Sequence, residues 1–149
     1  MPENQILLIA HRGNLSGKKK NLENSPKYID TAIGKGFDVE IDIRKISDDI
    51  FLGHDFAQYK ITIDWLNERR NSLWIHCKNF EAINFFSNIS NELNFFFHKK
   101  DDVVLTSKGF LWTYPGKEIS NKSISVLPES SGKNWLEYTT KSKIQPYGY

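Results

Sequence analysis

In FDVEIDIRKISDDIFLGHD, residues 37–55, apolar Phe37, Val39, Ile41 and Ile43 alternate with charged Asp38, Glu40, Asp42 and Arg44. That is the period of a β-strand, and it sets Glu40 and Asp42 side by side on one face. Asp48-Asp49 then reads as a turn, and residues 50–52 as a short returning strand that ends in Gly53, His54 and Asp55. The hairpin would carry an imidazole back toward the two carboxylates, with Asp55 placed to orient the His54 ring. Two carboxylates facing a histidine can hold a divalent metal beside a proton-transfer group, although a solvated edge strand shows the same alternation.

Upstream, residues 6–10 form a continuous apolar run, as in a strand buried on both faces, and run straight into His11-Arg12-Gly13. Ser25 followed by Pro26 predicts a helix start, Gly36 predicts its end, and Tyr28, Ile29, Ala32 and Ile33 share one apolar face. Strand, helix and strand in that order imply two parallel strands joined by a right-handed crossover. His11 then lies at the same carboxyl end of the sheet as Glu40, Asp42 and His54, where α/β proteins place their chemistry. Lys18 to Lys20 fall in a polar loop and read as a solvated face. Downstream, Thr62 predicts the cap of a short helix reaching Arg70, and LWIHC (residues 73–77) a buried strand ending in Lys78-Asn79. Residues 80–89 follow as a helix with Ala82, Ile83, Phe85 and Phe86 on its apolar side. Beyond it come short strand-like pieces with little helix between them, and a polar tail with Trp135 and Tyr138.

With 149 residues the chain suits one domain. Its 20 basic and 18 acidic residues leave a net charge of +2, which gives no footprint for nucleic acid and no basic face for a membrane. The lone Cys77 has no internal partner for a disulfide and no neighbours that make a nucleophile of it. The first residues lack the pattern of a signal peptide, and no apolar run approaches the ~20 residues of a membrane span. A soluble protein of the reducing cytoplasm is expected, with His98 in a structural role.

HRG at 11–13, ENSP at 23–26, DVEIDI at 38–43 and GHD at 53–55 occur in one order with tight spacing. Together they resemble the motifs of the glycerophosphodiester phosphodiesterase family, among the phospholipase-C-like phosphodiesterases. The resemblance implies an α/β fold of the TIM-type barrel class and a metal-dependent phosphodiesterase. A complete barrel usually takes ~250 residues, so the expectation here is a small barrel or an incomplete one without its final strand, with its open edge covered by the tail or by a homodimer partner. By motif, His11 and His54 are the acid/base pair, Glu40 and Asp42 bind Mg²⁺ or Ca²⁺, Arg12 and Lys78 contact the phosphate, and Glu23 supports the site. The family's third metal carboxylate is replaced by His76, which shifts the site toward ions that accept nitrogen or leaves the ring as a strand histidine; Glu129 is the alternative third ligand. Trp112 and Tyr114 could stack on a sugar or glycerol group, or pack in the barrel.

The chemistry of these residue types agrees with those roles. A phosphodiester repels nucleophiles and gains charge in the transition state, which a dication with Arg12 and Lys78 would offset. Two imidazoles suit proton removal and proton delivery near neutral pH. The expected substrate is a small glycerol- or sugar-containing phosphodiester. The alternatives are an enzyme of phosphodiester-linked surface polysaccharide precursors and a non-catalytic phosphate-binding domain.

Overall fold

Ser25 starts the first helix as its sequence predicts: the backbone is extended at ψ 140°, the hydroxyl oxygen accepts the N–H of Tyr28, and Pro26 opens α1 (Pro26–Gly34). Lys35 caps the end, and Gly36 turns the chain at φ +89°. The buried side of α1, Ile29 and Ala32, meets the sheet core. The computed structural model describes residues 6–89, 92–128 and 148. They divide into two compact units, Ile9–His98 and the pair of segments Met1–Leu8 and Lys99–Tyr149.

The Ile9–His98 unit is built on β2 (Asp38–Ile46). β1 (Ile9–His11) runs parallel to the first half of β2, with His11 opposite Glu40. The second half of β2 turns at Ser47-Asp48 and pairs antiparallel with β3 (Asp49–Leu52), which pairs in turn with β4 (Tyr59–Ile61). On its other side β2 runs parallel to β5 (Leu73–Cys77), and β5 to β6 (Phe95–Phe97), so the main ladder is β4-β3-β2-β5-β6 with β1 beside β2. Two helices complete the unit. Thr62 caps α2 (Ile63–Glu68) and Asn79 caps α3 (Phe80–Asn88), each through a side-chain oxygen. Val39, Ile41 and Ile43 on β2, Leu73, Ile75 and Cys77 on β5, and Phe86 on α3 form the centre of the core. Each such side chain contributes about 1.5–3 kcal/mol on burial.

The second unit holds a three-stranded sheet. β7 (Val103–Leu105) pairs antiparallel with β8 (Leu111–Thr113), which runs parallel to β9 (Ser123–Ser125). Leu7 and Ile124 each make an isolated parallel bridge to Gly148. The apolar run at residues 6–10 is therefore split between two tasks, and it is not buried on both faces, since Leu8 is half exposed.

The expected TIM-type barrel, small or incomplete, is not formed: the described residues make two open mixed sheets of six and three strands with three helices. The reason lies in the connections. A parallel neighbour needs a crossover of about a dozen residues or more, usually helical. Only residues 98–102 separate β6 from β7, and β7 enters a ladder with β8 instead. The antiparallel β3 and β4 likewise occupy the flank of β2 beyond β1. No helix among the described residues is long and apolar enough to cross a membrane.

Gly53 closes β3 toward His54 at φ +152°, where a Cβ would fall 1.9 Å from the carbonyl oxygen of Phe56. Gly36 has a comparably unusual φ with open space around it. In denaturant unfolding, Gly36→Ala should therefore cost about 1–2 kcal/mol, and Gly53→Ala clearly more. Equal costs would show that the Phe56 overlap is relieved without penalty.

Candidate metal centre

β2 presents Glu40 and Asp42 on one face, and β5 sets His76 beside them, with Asp42 and His76 register partners across the parallel ladder. All three side chains are buried, Asp42 completely. His76 Nδ1 stands 3.5 Å from Asp42 Oδ1 and 3.8 Å from Glu40 Oε1. The His76 ring is held in place by stacking on Phe96, at 5.0 Å between centroids, and on His98, at 4.4 Å. His98 is thus part of the surroundings of the site.

The loop after β1 closes over this face. Arg12 N–H donates to the Glu40 carbonyl at 2.8 Å, and the Arg12 carbonyl accepts the N–H of Asn24 at 3.0 Å. Both residues have left-handed backbones, φ 55° at Arg12 and φ 64° at Asn24. That conformation is uncommon for a side chain other than glycine and clusters at functional sites. Asn24 Nδ2 donates to Asp42 Oδ2 at 2.9 Å, while its Oδ1 accepts the Asp42 N–H at 3.0 Å. Arg12 Nε lies 3.1 Å from the same Oδ2, off the N–H axis, so that contact is an ion pair without a hydrogen bond. Arg12 Nη1 reaches Glu23 Oε2 at 3.5 Å, and Asn14 Nδ2 donates to that oxygen at 3.1 Å.

The two histidines expected to exchange protons differ in setting. His11 Nε2 approaches Glu40 Oε2 at 3.6 Å. Burial, helped by the Arg12 charge, pushes the His11 pKa down to about 4, so its ring is neutral at neutral pH. His54 stands at the end of the hairpin, about a third exposed, with Nδ1 2.8 Å from Asp55 Oδ1. Its main chain is pinned from β2: Arg44 Nε donates to the Gly53 carbonyl at 3.3 Å and Nη2 to the His54 carbonyl at 2.5 Å. Lys78, at the exit of β5, donates its N–H to Ile43, and its charge acts on Glu40.

The structure thus gathers His11, Arg12, Glu23, Glu40, Asp42, His76 and Lys78 around one end of the parallel strands, with His54 and Asp55 on the hairpin. Trp112 belongs to the other compact unit, where it is buried on β8 between Val104 and Ile124. Glu129 lies outside the described residues, as do Trp135 and Tyr138. Asn14, Asn24 and Arg44 were not singled out by the sequence, although Asn24 stands inside the ENSP motif.

The donor set fits a cation. Nitrogen or oxygen atoms from Glu40, Asp42 and His76 lie within 4.8 Å of one another. Glu40 Oε2, Asp42 Oδ1 and His76 Nε2 are buried without a hydrogen-bond partner among the described residues. Buried polar atoms without partners are costly unless something binds them, and carboxylate oxygens and imidazole nitrogens are donor types that divalent ions accept. The three residues form a buried group that could hold a metal ion. Comparison with protein-family models, with curated proteins and with solved structures gives no match.

The two carboxyls titrate in opposite directions. Burial, reinforced by neighbouring Asp42, raises Glu40 well above its usual 4.5. Burial also opposes ionisation of Asp42, but the adjacent His76 ring, the hydrogen bond from Asn24 and the Arg12 charge prevail and hold it at about 2. The folded state therefore keeps a proton on Glu40 that the unfolded chain releases, and without an ion the fold loses stability as pH rises from 4.5 through the raised value. The Asp42 contribution is present above its ordinary 3.8 and disappears as pH falls toward about 2. In urea unfolding with a chelator present, Glu40→Gln should flatten the decline of stability from pH 5 to pH 8. A decline as steep as in the wild type would show that Glu40 is not its source.

Proposed function

We propose that this chain is a metal-dependent phosphodiesterase that hydrolyses a small glycerol- or sugar-containing phosphodiester. The observation that supports this most is the buried group of Glu40, Asp42 and His76, which brings one possible ligand atom from each within 4.8 Å of the others, with Arg12 and His11 directly beside it. The resemblance of HRG, ENSP, DVEIDI and GHD to the glycerophosphodiester phosphodiesterases supports the same reading.

A divalent ion on these three residues would neutralise charge on the phosphoryl oxygens as it develops. Mg²⁺ or Ca²⁺ suits the carboxylate oxygens, and His76 extends the range to Mn²⁺. The chain's own groups then divide the proton work. A neutral His11 can accept a proton from the attacking hydroxyl, and an anionic phosphate arriving beside it strengthens it as a base. His54 is the acid in this scheme. With Nδ1 engaged by Asp55, its Nε2 is the atom left to exchange a proton with the leaving oxygen. Lys78 and Arg12 supply positive charge for the substrate phosphate. A cytoplasmic location agrees with Cys77, whose thiol burial pushes up to about 12 and so keeps unreactive.

Hydrolysis of bis-p-nitrophenyl phosphate with Mg²⁺, Mn²⁺ or Ca²⁺ tests the proposal. Chelation should abolish turnover, and His11→Ala or His54→Ala should each lower kcat by about 10²–10⁴ while ion binding persists. Turnover that survives both substitutions would remove the acid/base assignment. Ion binding without turnover under any of these ions would leave the non-catalytic phosphate-binding reading.

A further inference from the structure

Asp42 has its two carboxylate oxygens in different employment. Oδ2 accepts the Asn24 amide at 2.9 Å and faces Arg12 Nε at 3.1 Å, while Oδ1 is buried without a hydrogen-bond partner and points to His76 at 3.5 Å. The Asn24 side chain is fixed at both ends, since its Oδ1 also takes the Asp42 N–H at 3.0 Å. Asn24 is almost wholly buried, at 1 % exposure, and it is held against β2 by a left-handed backbone at φ 64° and by its N–H bond to the Arg12 carbonyl. Rotation of the carboxylate to offer both oxygens to one ion would break the Asn24 bond and strand a buried amide.

We infer that Asn24 is the selectivity-determining residue of the metal centre: by engaging Oδ2 it makes Asp42 a one-oxygen ligand and selects a small dication over Ca²⁺. This rests on the metal-centre reading above. Ca²⁺ takes about six to eight ligands and commonly uses carboxylates through both oxygens, whereas Mg²⁺ and ions of similar size take about six at shorter distances and accept one-oxygen carboxylates. His76 contributes a single nitrogen, which Mn²⁺ tolerates better than Ca²⁺ does. The chain therefore offers few donors in a rigid frame. Asn24 acts through Asp42 and touches neither ion nor substrate, so it is a positioning residue.

The test is Asn24→Gly, because glycine adopts the left-handed backbone at least as easily as asparagine and only the amide is lost. Binding of Mg²⁺, Mn²⁺ and Ca²⁺, each alone, is measured by calorimetry on the full chain, with the metal-free melting temperature as a control. The wild type should bind Mg²⁺ and Mn²⁺ more tightly than Ca²⁺. Asn24→Gly should weaken Mg²⁺ by about 10- to 100-fold, the usual effect of losing a group that orients a ligand, and weaken Ca²⁺ less, so that the Ca²⁺ to Mg²⁺ affinity ratio rises. A uniform loss for all three ions, or no change, overturns the inference and leaves Asn24 structural. A wild type that prefers Ca²⁺ overturns it without any variant, even if Asn24→Gly fails to fold. A wild type that binds none of the three ions refutes the metal centre itself, which is a different failure.

Discussion

The structure turns on placing two carboxylates two residues apart on the buried face of one central strand. Glu40 and Asp42 sit between the flanking strands β1 and β5, where an ionised carboxylate without partners is too costly to persist. The chain solves this unequally. Asp42 receives an amide, a guanidinium and a backbone hydrogen bond through its own N–H, and it stays ionised. Glu40 receives less compensation and resists ionisation. The parallel pairing of β1 with β2 matters because it delivers His11 and the Arg12 turn to the same end as these two side chains.

Left-handed residues at Arg12 and Asn24 are the local cost of that arrangement. The two are joined by a backbone hydrogen bond, so neither can relax alone. Each uses its unusual conformation to direct a polar side chain at Asp42 from a different part of the chain. Such strain persists where the surroundings over-determine it, here through four contacts to β2 from two loop residues.

Features set by neighbours in sequence were legible in the sequence. The Ser25-Pro26 helix start, the Thr62 cap, the β2 alternation and the buried LWIHC strand depend on residues within a turn or two of each other. The β4 strand was not visible because YKI is short and carries an exposed lysine. The barrel expectation came from the resemblance, and the five positions 98–102 held the contrary signal: too few residues for a helical crossover. Glu40, Asp42 and His76 could be picked out because acidic and imidazole groups stand out on otherwise apolar strands. Asn24 could not, because an asparagine in a polar loop is ordinary, and its importance arises only when folding brings it onto a carboxylate eighteen positions away.

Arg44 shares the face of β2 with Glu40 and Asp42, and through two carbonyls it ties down the loop that carries His54. One strand thus carries at alternate positions two members of the candidate metal centre and a loop anchor. Sliding β2 by a single residue against its neighbours would move all three into the apolar core together and bring Val39, Ile41 and Ile43 into their places. A misaligned sheet would set three charged side chains among apolar neighbours at once, so the register of β2 is fixed by the combined cost of all three.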